Sequence, residues 1–328
     1  MQHNELHDLV LKTQPNICQI SAIKNNYLVY SDSWNNAVTT DNFHIASATK
    51  SIISLLIGIA MDQKLIQNVD QKVLDFFPNY TIKRSEKTIS QVTLKHLLTM
   101  TAPYKYKSEP WTKVCTSNDW TKATLDLLGG RAGITGKFKY ATLGIQILSA
   151  IITKASHMTT LEFANKFLFA PLGIKPCTAF TVQNKEEHIQ FVTDKSPKAN
   201  SWFCDPQGIS AAGFGLSLSA EDMVKIGALC LNQGTYHSKQ IISSNWIHQM
   251  TTPYIHCNER FNHMHYGYLW WIINPEKSIY AAIGDSGNVI YVNSTTHTAI
   301  AITATFKPAV LDRIQFIEEH IEPFLEIL

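Results

Sequence analysis

The sequence predicts an α+β fold, with an antiparallel sheet flanked by helices and an all-helical lobe beside it. Three observations carry this expectation. Short β-rich runs gather at both ends of the chain, the middle has helical periodicity, and no repeat or low-complexity linker intervenes. The terminal strands are therefore expected to share one sheet. That gives a discontinuous α/β domain, 1–60 with 205–328, and a mainly helical domain, 61–204, with the functional cleft between them. A chain of 328 residues can bury a core of that size.

Taken in order, "ICQISAIKNNYLVYSDSW" alternates apolar and polar residues and breaks at Lys24, Asn25 and Asn26, so the chain is expected to enter through a β-hairpin. A helix follows from Ser47 to Met61. Its apolar run, Ser51 to Met61, has eleven residues between Lys50 and Asp62, short of the roughly 20 that cross a bilayer, so it reads as a buried helix. Helical stretches are expected near 93–100, 119–128, 142–155 and 160–168. "SAEDMVKIGALCLNQG" has Ser219 as cap, acids in its first turn and Gly234 as stop signal. Strands are expected in "YGYLWWII", "SIYAAIG", "NVIYVNS" and "TAIAITATF", closed by an amphipathic helix from about Leu311 to Ile327.

Composition narrows the function. Apolar residues make up 45% and charged ones 16%, a globular balance. A net charge of +2 from 28 basic and 26 acidic residues, with no basic block, gives no footprint for nucleic acid, so a small molecule or short peptide is the expected partner. The six cysteines, Cys18, Cys115, Cys177, Cys204, Cys230 and Cys257, form no CxxC pair and read as buried thiols. His263 and His265 alternate near His256 and Cys257 but lack a convincing fourth ligand, so no metal is expected. "MQHNELHDLVLKTQP" carries no secretory pattern, which implies a cytoplasmic protein without a membrane anchor.

Two serines compete for a nucleophile's role. Gly284, Asp285, Ser286 and Gly287 spell the run found around the nucleophile of chymotrypsin-like enzymes. That reading needs paired β-barrels and a histidine base in a suitable context, and a helical middle refuses it. Ser47 has better company: Lys50 lies three residues on, on the same helix face. Ile45, Ile52, Ile53, Leu55 and Leu56 offer a dry setting that lowers an amine pKa, and the helix start favours an oxyanion. Ser21 and Lys24 share the spacing, but in a strand those positions face opposite ways.

"HIASATKSIISLLIGIAMDQKLI" resembles the nucleophile helix of the serine β-lactamase and penicillin-binding superfamily. The likeness is to its class C β-lactamase-related branch, with the 6-aminohexanoate-dimer hydrolases and esterases. "VTLKHLLTMTAP", "KYATLGIQILSAIITKA", "FANKFLFAPLGI", "DPQGISAAGFGLSLSAEDMVKIGALCLNQG", "YGYLWWI" and "AAIGDSGNVIYV" resemble further segments of that superfamily, in its order. The resemblance implies a β-lactamase/transpeptidase-like fold and a cofactor-free serine hydrolase acting through an acyl-enzyme on Ser47, with Lys50 and Tyr140 moving protons. Tyr140 would act as general base and acid, eased by a cationic lysine nearby.

The resemblance also implies that Thr142 takes a substrate-contacting amide's place, that Asp285, Ser286 and Gly287 line the cleft, and that the backbone of Ser47 and Asn288 forms the oxyanion hole. Asp285 stands where relatives carry Lys, His or Tyr, which speaks against efficient β-lactam hydrolysis and for a neutral or cationic substrate. Tyr104, Tyr106 and Trp111 are candidates for shaping the pocket, whereas Trp270 and Trp271 read as core. Two alternatives stay open: a catalytically silent binding protein in the same fold, and a peptidase for D-amino acid peptides.

Overall fold

The computed structural model describes residues 3–82, 86–182, 185–307 and 313–327. Eight antiparallel strands form its main sheet: β1 (Ile17–Lys24), β2 (Tyr27–Ser33), β3 (Ile255–His256), β4 (His265–Tyr266), β5 (Trp271–Asn274), β6 (Ile279–Gly284), β7 (Asn288–Asn293) and β8 (Thr298–Ala304). Their spatial order is β2-β1-β8-β7-β6-β5-β4-β3, so strands from the two ends of the chain meet where β1 pairs with β8. The expected shared sheet is present.

Burial explains which strands the sequence advertised. Every residue of β7 and β8 is buried, because helices cover both faces of the sheet, and such strands read as continuous apolar runs. The edge strand β2 is largely half-exposed and keeps Ser31, Asp32 and Ser33. One face packs against the helix Ala220–Leu231, capped as expected by Ser219, whose hydroxyl accepts from the Asp222 amide. The other face buries Leu6, Val10, Phe316, Ile317 and Phe324 from helices at the two chain ends.

The N-terminal contribution corrects an expectation, because a helix, α1 (His3–Thr13), precedes the hairpin. Its apolar stripe is only Leu6, Leu9 and Val10, too narrow to stand out in a polar segment, yet Leu6 and Val10 are fully buried. The run "YGYLWWII" is also not one strand. A turn at Gly267–Leu269 splits it, with Leu269 at φ 60° and its amide bonded to the Leu98 carbonyl (2.9 Å). The closing helix spans 313–327 with a π-helical turn at Ile317–Ile321; the predicted start at 311 lies outside the described residues.

The middle of the chain is mostly helical, as expected, but in short pieces. Leu94–Leu98 and Trp120–Leu125 are each about a turn or two, and the longer helix α3 (Gln146–Ser156) starts four residues later than 142. The helix expected near 160–168 is present, Thr160–Ala164 continuing into a π-helical turn at Asn165–Phe169. Helix α2 (Thr49–Asp62) is buried from Thr49 through Ala60 and packs on α3 and β6. Gly58 allows this: a Cβ there would come within 2.1 Å of the Trp246 ring, whose Nε1 donates to the Ser54 carbonyl (3.1 Å). No helix among the described residues is long and apolar enough to cross a membrane.

Candidate active site

Ser47 sits in the middle of a 3-10 turn, Ala46–Ala48, that runs directly into α2. The turn is held from several sides. The Ile45 amide donates to the Leu216 carbonyl (3.0 Å), Thr49 Oγ1 donates to the Ala46 carbonyl (2.7 Å), and Ala46 takes a left-handed φ of 48°. A non-glycine residue there costs about 1–2 kcal/mol and persists only when its surroundings fix it. Strand β6 presses on the same turn: a Cβ at Gly284 would lie 2.2 Å from the Ile45 carbonyl oxygen. Only glycine lets the two backbones approach so closely.

One helical turn on, Lys50 is buried, with 1% of its surface exposed. Its Nζ lies 2.8 Å from Ser47 Oγ and 2.8 Å from the Gly213 carbonyl, to which it donates. Burial lowers its pKa to about 7, against the raising influence of the Glu109 and Asp285 carboxylates. The amine is thus half-neutral near neutral pH and can accept the Ser47 proton. Gly213 is in turn positioned by α3, because the Gln146 side chain donates to the Ser210 carbonyl (3.1 Å) and accepts from the Ala212 amide (2.9 Å).

Tyr140 comes to the same hydroxyl from the helical lobe. Its phenol lies close enough to Ser47 for that hydroxyl to favour the ionised form, and the Lys50 ammonium lies 4.9 Å from its ring centroid. The ring is fixed by Trp271, stacked at 5.8 Å and 22°, and by Phe261 at 5.9 Å. Trp270 and Trp271 are core, as expected, and Trp271 also orients the phenol. The acidity of Tyr140 runs opposite to expectation: burial first, then Asp285 and Glu109, push its pKa well up despite the lowering influence of Ser47. The phenol stays protonated at neutral pH.

Ser47, Thr142, Trp111, Phe214, Asp285 and Asn288 line one cavity of about 220 Å³. Trp111 meets Phe214 edge to face at 5.6 Å, and His188 stacks on Phe214 at 5.4 Å, so one wall is aromatic. His44 also lines it; burial drops its pKa to about 3, and its Nε2 accepts the Gly215 amide (3.0 Å), so it stays neutral. Asp285 is exposed at the cavity wall. Ser286 reaches the cavity at φ 68°, but its hydroxyl accepts from the Lys307 amide (2.8 Å) and donates to the Lys307 carbonyl (3.1 Å). Gly287 backs onto the buried Arg313 side chain, which a Cβ would strike at 2.3 Å. Asn288 opens β7 opposite Gly284, its side chain donating to the Asp285 carbonyl (2.8 Å) and accepting from Ala304 (2.9 Å).

Tyr104 is not brought to this cavity. It packs against Gly144, where a Cβ would lie 2.2 Å from its ring, and lines a neighbouring space with Tyr106. Glu109 is a residue that sequence reasoning missed. Its Oε1 accepts the Leu143 amide (2.7 Å), beside Thr142, and burial raises its pKa. The available signal was slight: one acid in the basic stretch "KYKSEPW". Of the cysteines, Cys115 is half-buried and the other five buried, all free. His256 lies 5.8 Å from His263 and 4.9 Å from His265 between ring centroids, and no group of three His, Cys, Asp or Glu among the described residues is arranged to hold a metal.

The chain belongs to the beta-lactamase family, whose profile matches residues 20–318. It is 21% identical over 285 residues to the 6-aminohexanoate-dimer hydrolase of Paenarthrobacter ureafaciens, covering 79% of this chain and 65% of that protein. The chain therefore spans less than two thirds of that hydrolase. Among solved structures, the putative 6-aminohexanoate-dimer hydrolase from Bacillus anthracis superposes with a TM-score of 0.75 at 17% identity, over 98% of this chain and 81% of the other. The octameric penicillin-binding protein homologue from Pyrococcus abyssi gives 0.76 at 21% identity, over 99% and 78%. The β-lactamase/transpeptidase-like fold is that of this chain.

Proposed function

We propose that this protein is a serine hydrolase that cleaves an amide or ester bond through an acyl-enzyme on Ser47. The observation that carries the reading is the Lys50 amine, dry and 2.8 Å from the Ser47 hydroxyl at the foot of a cavity. Lys50 accepts the Ser47 proton as Oγ attacks the carbonyl, and the backbone amides of Ser47 and Asn288 receive the oxyanion. Tyr140, a neutral phenol, donates a proton to the departing amine or alkoxide and regains one from Lys50, which took it from Ser47 in the attack. Water then enters where the leaving group was and, by the reverse proton path, frees the acid product.

The cavity supports an apolar acyl group against Trp111 and Phe214, with Asp285 favouring a neutral or cationic substrate over a carboxylate. Asp285 also supports a second reading, a peptidase for D-amino acid peptides, whose free ammonium would face that carboxylate. A fluorophosphonate is the direct test. The expected result is one adduct by intact mass, mapping to Ser47 and absent from Ser47→Ala. No adduct would favour a silent binding protein, and retained esterase activity in Ser47→Ala would overturn the mechanism. Profiling of esters against L- and D-aminoacyl amides separates the two hydrolase readings.

A further inference from the structure

The helical lobe carries a second and larger cavity, about 880 Å³, between segment 101–107 and the glycine-rich loop 129–139. Its walls are tied together by backbone bonds: Gly129 N to the Pro103 carbonyl (2.9 Å), Lys105 N to Leu127 (2.9 Å) and Lys139 N to Met100 (2.7 Å). Thr88 Oγ1 donates to the Gly130 carbonyl (3.0 Å) and adds a third wall. Gly129 packs close against that wall, since a Cβ there would meet Glu86 Oε1 at 2.5 Å. This is an open groove with three walls.

Six cations line it, Lys87, Lys105, Lys107, Arg131, Lys137 and Lys139, against one carboxylate, Glu86. The lining is thus +5 while the whole chain carries only +2, so the remainder of the molecule is net acidic. Glu86 is already engaged by Lys105 at 3.3 Å. Lys139 donates to the carbonyls of Tyr104 and Tyr106, and its ammonium lies 4.5 Å from the Tyr106 ring centroid. No carboxylate among the described residues pairs with Lys87, Lys107, Arg131 or Lys137. Like charges gathered in a concavity repel one another and raise the local concentration of anions. Arginine and lysine on facing walls suit oxyanions with several charges, which each cation can meet through a charge-assisted bond.

We propose that this cavity binds a small polyanion, a molecule carrying several phosphate or carboxylate groups, at a site separate from the Ser47 cleft. Tyr104 and Tyr106, stacked at 5.2 Å and 22°, give it a flat wall beside the charges. Lys139 adjoins Tyr140 in the chain, so the ligand would sit next to the segment that presents the phenol. This inference does not depend on the hydrolase reading.

Titration calorimetry on the full chain tests it, with inorganic triphosphate and citrate as separate probes at about 0.15 M salt, where diffuse surface attraction is screened. The expected result is saturable binding of one molecule per chain, and the stronger probe tells whether phosphate or carboxylate is the natural chemistry. Arg131→Glu with Lys137→Glu should weaken it by about tenfold or more, since two attractions become repulsions. Lys12→Glu with Lys277→Glu, an equal charge change on exposed residues elsewhere, should leave affinity unchanged. The proposal is overturned if neither probe saturates, if the distant pair weakens binding as much as the cavity pair, or if only a polymer such as heparin binds.

Discussion

Two serines end on tight turns of the same cavity wall and meet different fates. Ser47 follows a strained Ala46 and points its hydroxyl at two side chains, Lys50 and Tyr140. Ser286 is itself strained, and its hydroxyl is closed into a two-way bond with the backbone of Lys307. A hydroxyl whose proton is held by a peptide carbonyl has no base beside it to take that proton, and so is not activated for attack. Strain alone therefore does not mark a nucleophile; the marker is a partner that can change its protonation state.

The comparison is broken most directly at the first serine. Ser47→Ala should lower ester or amide turnover by on the order of 10³-fold or more, read as kcat/KM, because the residues around it act as a unit. Survival of activity would mean the wrong serine was chosen. The wild-type profile should rise as pH passes about 7, when Lys50 sheds its proton, and Glu109→Gln should move that rise to lower pH because it removes a carboxylate that favours the charged amine. A pH-independent rate between 5 and 9 would remove Lys50 from the base role.

Lys50→Met should abolish turnover to a similar degree and leave a mark on stability. The folded pKa lies below the unfolded one, so the buried amine is no burden above about pH 10.5, becomes a growing one as pH falls, and is a full one below about 7. Relative to wild type, the Tm of Lys50→Met should improve by a few degrees between pH 10 and pH 6, on top of a constant loss from the stranded Gly213 carbonyl. A pH-independent difference would contradict the depressed pKa.

Two smaller effects sharpen the contrast at the second turn. Asp285→Lys should shift the ratio of kcat/KM for carboxylate-bearing over neutral esters by roughly tenfold toward the carboxylate, since it reverses a charge on the cavity wall. Ser286→Ala should keep kcat/KM within about threefold while costing about 1–2 kcal/mol in denaturant unfolding, because the Lys307 backbone loses its partner. A large loss of activity there would return Ser286 to candidacy.

Much of the fold was legible because β7 and β8, buried on both faces, are short runs rich in β-branched and aromatic residues between turn signals. Helix α1 was not, since three apolar residues carry its whole docking face. The spacing of Ser47 and Lys50 revealed their contact because both lie within one turn of a single element. Gln146 and Glu109 were invisible for the opposite reason. Each works by gripping a backbone amide that folding brings near, and backbone amides leave no trace in a sequence. The direction of the Tyr140 shift was likewise hidden, because it depends first on how deeply folding buries the phenol, and then on carboxylates contributed by separate loops.

The contact between Gly284 and the Ile45 carbonyl sets adjoining positions apart in how far they can drift. Any side chain at 284 would pry β6 off the turn that carries Ser47, so that position is locked to one residue. Its neighbour at 285 is exposed at the cavity wall, where a new side chain meets solvent and substrate rather than packed backbone. A mutant library aimed at new substrates would vary the second position freely and spare the first.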